Sequence, residues 1–405
     1  MLARLAWRNL WRQPIRTGLS MVGMAFTAVL LVFMLSFQFG AYDTMKSGML
    51  SINDGYGQLQ PPGYADDPDI GRLIAAPAAL LTALEGIEGV RAAAPRARGF
   101  ALLANGERSF AAAVTGVDPD REARVARLPS MIAAGRPLSA GDAGEIVLGA
   151  GLARNLRLGL GDSVTLLGTG SDGSVAADVL ELVGIFESGV PEIDRQLAQM
   201  PLARFQQTFL IGESVNSIAL TGDRLADIVA AAPALRALAD RFGLVYLDWG
   251  EIQPGIRQAI RLDLSTALLM YATLVVVVVF IILNTLYMSV LERSREFGVL
   301  LALGMKPGQV GRMVWLEMLL LALGGTGVGV LLGIAVTAWV QRVGISFESM
   351  QEIWAQFGLS GRLYPAMTPL RVLSGPLAMV LAIALLGIIP YRRVLRLTPV
   401  TALAA

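Results

Sequence analysis

Leu291-Glu292-Arg293-Ser294-Arg295-Glu296-Phe297-Gly298-Val299-Leu300-Leu301-Ala302-Leu303-Gly304-Met305 is a short, charged, strongly helical stretch set between two long apolar runs. The run before it, from about Leu264 to Val290, and the run after it, from about Met313 to Val340, each exceed the roughly 20 residues a helix needs to cross a bilayer. A connector this short and charged must lie in water at the membrane surface, which predicts a lever between two spans. Glu292 and Glu296 stand one helical turn apart, as do Arg293 and Phe297, so polar and apolar stripes coexist. Gly304 is expected to end the helix and Pro307 to prevent its continuation. Val299, Leu300, Leu301 and Leu303 are too apolar for a solvated loop and need cover from membrane or from a partner protein.

The rest of the chain fits this setting. It has 405 residues, 54% hydrophobic and only 16% charged, with a mean hydropathy of +0.59, too apolar for an ordinary soluble enzyme. Two further runs qualify as spans, about Thr17 to Phe39 and Val372 to Tyr391. The expected fold is a membrane protein with four transmembrane α-helices and an α+β outer domain inserted between the first and second spans. In order, the layout is an interfacial helix at 1–16, a span at 17–40, the outer domain at 41–260 and a span at 261–291. The connector then occupies 292–312, followed by a span at 313–341, an outer loop at 342–370, a span at 371–391 and a tail at 392–405. Arg4, Arg8, Arg12 and Arg16 precede the first span, and Arg392, Arg393 and Arg396 follow the last, so the positive-inside bias puts both termini and the connector in the cytoplasm. The first run is too long for a signal-peptide core, and Ser36-Phe37-Gln38-Phe39-Gly40 offers no small-x-small cleavage site, so it is expected to remain as an anchor.

A net charge of +1 supplies no field for nucleic acid. The chain has no Cys and no His, which removes Ser-His-Asp and Cys-His chemistry and leaves no expected metal site. Lys46 and Lys306 are the only lysines, and Gly40 to Ser47 lacks the second glycine of a Walker A loop because Met45 stands there. Leu359-Ser360-Gly361 only begins to look like an ATPase signature. No ATP hydrolysis, catalytic residue or bound cofactor is therefore expected in this chain.

Leu5, Trp7, Leu10 and Trp11 alternate with the arginines, which predicts an interfacial helix with tryptophans at headgroup depth and arginines on lipid phosphates, bending at Pro14. A helix packed only on its membrane neighbours is the alternative. In the outer domain, Phe100 to Leu103 and Phe110 to Val117 flank an Asn105-Gly106 turn and read as a hairpin. Glu145 to Leu148, Ser163 to Leu167, Val179 to Phe186, Asn216 to Thr221 and Leu244 to Leu247 read as further strands. Ala78 to Leu84, Gly151 to Leu156 and Leu225 to Phe242 read as helices, which together imply a mixed sheet. Helical character from Ile256 to Leu291 would span roughly 50 Å, more than the hydrocarbon core. In the third span Gly325, Gly329 and Gly333 recur every fourth residue, a face for close helix packing rather than a nucleotide loop. Glu317, about one turn inside that span, must pair, with Arg293, Arg295 or Arg312 as candidates; a proton relay is the sharper alternative.

At these residues the chain resembles permease subunits of the FtsX/MacB type of ABC transporter. The coupling region is matched by Glu292-Arg293-x-Arg295-Glu296-Phe297-Gly298-Val299-Leu300-x-Ala302-Leu303-Gly304-Met305 and Glu317. Leu5-Ala6-Trp7-Arg8-Asn9-Leu10 with Arg16-Thr17 resembles the family's first helix. Gly135-Arg136-Pro137-Leu138, Glu145-Ile146-Val147-Leu148-Gly149 and Gly161-Asp162 resemble its periplasmic core domain, and Pro390 to Pro399 its carboxyl end. The resemblance implies an inner-membrane subunit working by mechanotransmission. Its partners would be two separate ATPase subunits carrying ATP and Mg, and a second permease copy, either identical or a sister subunit. ATPase coupling falls to Glu292, Arg293, Arg295, Glu296, Phe297, Leu300, Leu303, Gly304 and Met305. The lack of a fused ATPase is closer to the lipoprotein-releasing permeases than to the macrolide exporter. That implies extraction of a lipoprotein or other amphiphile from the outer leaflet, delivery to a periplasmic carrier or adaptor, and substrate contacts with membrane lipids nearby at Phe33, Phe37, Leu268 and Tyr271. The alternatives are an efflux permease with an adaptor and a signal transducer that activates a cell-wall hydrolase.

Overall fold

The computed structural model describes residues 2–345 and 362–395. Most of the expected outer loop, including Leu359-Ser360-Gly361, and the tail with Arg396 and Pro399 lie outside the described residues. The chain divides into a helical unit, which holds Met1–Asp43 and resumes at Ile260, and a sheet unit built on Thr44–Ala259.

The helical unit starts with α1 (Leu2–Leu10), which gives way at Pro14 to α2 (Pro14–Ile52). Helix α2 does not stop at 40, where polar residues first suggest the outer domain. Asp43, Thr44 and Lys46 change its polarity but break no helical hydrogen bond, so it continues to Ile52.

The sheet unit follows as β1 (Gly57–Gln60), α3 (Ala78–Glu85), β2 (Ala92–Asn105), β3 (Arg108–Val117), α4 (Pro119–Val125) and β4 (Ile132–Gly135). Next come β5 (Glu145–Gly149), α5 (Ala150–Leu156), β6 (Ser163–Thr169), β7 (Val175–Phe186), α6 (Pro191–Gln196) and β8 (Leu197–Pro201). It closes with α7 (Leu202–Thr208), β9 (Ser217–Thr221), α8 (Leu225–Arg241), β10 (Val245–Asp248) and α9 (Trp249–Ile252). The strands make one sheet in the order β10-β1-β9-β2-β3-β8-β5-β7-β4, with β6 bridging β2 and β7. It is mixed: β3 pairs parallel with β8 and β5 with β7, while the other pairs run antiparallel.

Strand periodicity sorts the side chains. On β2, Ala97, Ala101 and Leu103 point into the core while Arg98, Phe100 and Leu102 point out. One core gathers around Leu103, Val114, Leu148, Leu166 and Leu182 with stacked Phe205 and Phe209, 4.2 Å apart. A second gathers under α3 and α8 around Leu59, Leu84, Ile218, Ile228 and Leu235. The Gly135-Arg136-Pro137-Leu138 and Glu145 motifs form a clamp. Arg136 Nη2 donates to Glu145 Oε1 at 2.6 Å and Nη1 to Oε2 at 3.1 Å, while the Ser139 amide donates to Oε2 at 2.9 Å. The guanidinium of Arg136 thereby holds the Glu145 carboxyl below the ordinary range. Arg96 on β2 and Glu122 on α4 form a sealed bidentate pair at 2.9 and 2.7 Å. Asp118 holds α4 in place by accepting the Asp120 and Arg121 amides.

The chain then re-enters the helical unit through α10 (Pro254–Glu292), α11 (Ser294–Ala302) and α12 (Pro307–Val343), and ends with α13 (Pro369–Leu386) and α14 (Ile388–Leu395). Helices α2, α10, α12 and the α13–α14 pair are each long and apolar enough to cross a membrane. Met24, Ala28 and Leu31 of α2, Val279 and Ile282 of α10, Met318 and Ala322 of α12, and Met379 of α13 form their common core.

Candidate coupling site

The connector is built by two breaks. Helix α10 stops at Glu292, Arg293 leaves helical geometry with φ −96° and ψ 11°, and α11 starts at Ser294. Its end is a Schellman turn: the Gly304 amide donates to Leu301 O at 3.1 Å and the Met305 amide to Leu300 O at 3.1 Å, with Gly304 at φ +97°. Pro307 then opens α12 at a position that needs no amide hydrogen. Residues 307–312, expected in the connector, are the first turns of helix α12.

The four apolar residues that needed cover do not share one fate. Leu301 packs internally with Phe297, against Val290, Val310, Met313 and Val314 and against Ala6 of α1, and Leu300 and Met305 are partly buried beside them. Val299 is 50% exposed and Leu303 78%. With Glu292, Arg295, Glu296 and Ala302, also exposed, they recur at the three- and four-residue spacing of one helical side.

Behind this bare side runs a network of charges. Arg293 Nη1 donates to Glu317 Oε2 at 2.9 Å and Nε to Glu296 Oε2 at 3.3 Å, and its guanidinium lies 5.2 Å from the Phe297 ring. Asn9 Nδ2 donates to the other oxygen of Glu317 at 2.6 Å. Arg16 pairs with Glu292 at 2.7 Å and also donates to the Thr285 carbonyl, and Arg12 reaches Glu296 at 3.4 Å. Asn9, Arg12, Arg16, Arg293, Glu296 and Glu317 line a cleft of about 90 Å³. One network therefore joins α1, the start of α2, both sides of the Arg293 break and α12. The exposed Arg12–Glu296 pair adds little stability; the partly buried Arg293–Glu317 pair fixes where α11 sits on α12.

Several expectations change here. Trp7 and Trp11 remain exposed, at 53% and 57%, as an interfacial helix requires, but Arg12 and Arg16 meet the protein carboxylates of Glu296 and Glu292. Glu317 pairs with Arg293, not with Arg295 or Arg312. Asn9, the second partner of Glu317, sits next to Arg8 at the end of α1, and an amide beside an arginine in that short helix is the only sequence signal for it.

Gly325, Gly329 and Gly333 all face α2. A Cβ at Gly325 would lie 3.0 Å from Met24 Cβ, one at Gly333 3.0 Å from Val32 Cβ, and one at Gly329 would collide with the Ala25 carbonyl. Phe33 and Phe37 stack at 5.9 Å on α2, and Leu268 is 53% exposed. Tyr271, unlike Leu268, is buried. It is 7% exposed and donates its hydroxyl to Gln38, beside Tyr42 and Asp263, because a phenol in an apolar span needs a hydrogen-bond partner.

Residues 17–238 match the family model described as MacB-like periplasmic core domain, and residues 268–399 match FtsX-like permease C-terminal. The chain belongs to the FtsX/MacB-type family of ABC transporter permeases. The sheet unit of this permease is its periplasmic domain, and the four apolar helices together with this family membership make it an inner-membrane protein. It is 27% identical over 345 residues to the Lipoprotein-releasing system transmembrane protein LolC of Neisseria meningitidis serogroup B, covering 82% of this chain and 80% of that one. It is also 27% identical to LolC of Xylella fastidiosa, over 63% of this chain and 62% of the other. The Macrolide export ATP-binding/permease protein MacB of Hahella chejuensis is 26% identical over 49% of this chain and 28% of its own length.

Proposed function

We propose that this permease extracts a lipoprotein or similar amphiphile from the outer leaflet of the inner membrane, driven by ATPase subunits that dock on α11. The observation that carries this reading is the division of α11. Phe297 and Leu301 tie it to the chain's own helices, while Val299 and Leu303 stay bare among Glu292, Arg295 and Glu296. A surface of apolar residues ringed by charges suits a protein partner. Two ATPases carrying ATP and Mg would each grip one permease of a pair, identical or sister subunits, with both termini and α11 in the cytoplasm. The permease itself performs no chemistry: ATP-driven movement of α11 passes through Arg293 and Glu317 to the membrane helices. The likeness to LolC over four fifths of the chain supports lipoprotein as substrate and a periplasmic carrier as recipient. The shorter likeness to a macrolide exporter supports efflux through an adaptor as the second reading.

The test is to purify the complex with its ATPase in detergent, identify co-bound molecules by mass spectrometry and measure ATPase turnover with added lipoprotein. Bound lipoprotein and altered turnover are expected. Absence of any bound lipid or lipoprotein, with turnover unchanged, would sink the extraction reading.

A further inference from the structure

The periplasmic domain holds a polar cleft that neither the coupling site nor the transport reading uses. It measures about 470 Å³, and its walls include Asn53, Asp54, Gln60, Arg98, Glu192 and Glu251. The local fold aims it. Helix α2 ends at Ile52, so Asn53 and Asp54 turn directly into β1, and the two-residue period of β1 sends Leu59 into the core while Gln58 and Gln60 face the other way.

The hydrogen bonds among these groups leave acceptors over. Gln60 Nε2 donates to Gln58 Oε1 at 2.7 Å, and Gln58 Nε2 donates to Asp54 O at 2.9 Å. Asn53 Nδ2 donates to Asp54 Oδ1 at 3.3 Å and Gln253 Nε2 to Asp54 Oδ2 at 2.5 Å. Every one of these amide nitrogens is thus engaged. Asn53 Oδ1 and Gln60 Oε1 have no donor, although each residue is only 8% exposed. Buried acceptors rarely stay unpaired in a folded protein, so two in one cleft point to something that donates to both. Turning the Gln60 amide over would set its oxygen against Gln58 Oε1, and turning the Asn53 amide over would set its oxygen against Asp54 Oδ1, so both amides are held as they stand.

Charge narrows the choice. Asp54, Glu192 and Glu251 are three carboxylates against the guanidinium of Arg98 in the walls and that of Arg195, which lies 4.0 Å from Glu192, and among the described residues Asp54 has amide partners but no ion pair. We propose that this cleft binds a primary ammonium group, which brings one positive charge and three N–H donors to Asp54, Gln60 and Asn53. A quaternary ammonium would satisfy the charge but not the two buried oxygens. The site stands independently of the lipoprotein reading, since it predicts binding and not transport.

Full-length permease in nanodiscs is titrated with n-propylammonium and with tetramethylammonium, binding being read by calorimetry. Propylammonium is expected to bind at least roughly tenfold more tightly. Gln60→Met and Glu192→Gln should each weaken it, Gln60→Met by about tenfold or more, and the exposed Glu192→Gln variant guards against a loss caused by misfolding. Competition by phosphoethanolamine or by glycinamide then names a lipid headgroup or a peptide amine as the natural source. No measurable propylammonium binding, which would mean water alone fills the cleft, overturns the proposal. So does equal affinity for the two cations, or an affinity unchanged in both variants.

Discussion

Two arginine–glutamate pairs, Arg96–Glu122 in the periplasmic domain and Arg293–Glu317 among the membrane helices, use the same chemistry to different ends. Arg96 and Glu122 are sealed, with side chains 6% and 0% exposed, and meet in two hydrogen bonds with each other. Arg293 and Glu317 are a little more open, at 15% and 10%, and meet in one. Their remaining capacity goes to Glu296, Phe297 and Asn9. A pair that spends all its bonds internally locks one strand to one helix. A pair that shares them ties together elements able to move.

Removing half of the closed pair should have the largest effect. Glu122→Ala leaves Arg96 charged and buried, at a cost of about 3–5 kcal/mol, and chemical denaturation of the full chain should show the periplasmic domain unfolding first. Replacing both partners with apolar residues, Arg96→Met with Glu122→Leu, should recover most of that loss and leave function intact. If the double variant folds but does not function, the closed pair is not merely a lock.

The shared pair should respond in the opposite manner. Glu317→Gln keeps one oxygen for Arg293 but sets its amide nitrogen toward Asn9, and with Glu296 still beside Arg293 it should cost about 1–3 kcal/mol, yet ATP hydrolysis should continue while transport falls. Gly304→Pro and Glu296→Ala should uncouple in the same way with insertion unchanged, Gly304→Pro because proline cannot adopt φ +97° or donate to Leu301. Unaltered transport in all three would remove the coupling assignment.

A third pair, Arg136–Glu145, marks the small end of the comparison. The Arg136 guanidinium lowers the Glu145 carboxyl in the folded chain, so its stabilisation is present above the ordinary carboxylate value of about 4.3. It is lost as pH falls through the lowered folded value. Acid unfolding of the periplasmic domain should therefore become less steep in Arg136→Gln, by a modest margin because Arg136 is half-exposed.

The sequence carried the membrane helices well because a run of apolar residues has one meaning in a chain of this length. The third-span glycines were legible too, since a four-residue interval places them on one side. The change of unit near residue 43 was legible in the polar residues from Asp43 onward, but the continuation of α2 to Ile52 was not, because polarity alone does not end a helix. Strand β1 was hidden: its residues, Gly57, Gln58, Leu59 and Gln60, have little strand propensity, and pairing with β9 and β10 on either side decides the matter. Strand β8, Leu197–Pro201, was missed for a similar reason, a short segment fixed by β3 and β5. The connector was found as a unit but not its internal division. Leu301 and Leu303 are the same residue type two positions apart, and only the Schellman turn and α12 determine which one is buried.

The account rests on Leu303 facing a partner rather than its own chain, and the affinity of the nanodisc-embedded permease for an ATPase subunit that copurifies with it would measure this directly. Leu303→Glu should leave the melting temperature within about 2 °C and weaken that affinity by roughly tenfold or more, the worth of burying one leucine. Affinity unchanged in Leu303→Glu, with thermal stability also unchanged, would contradict it.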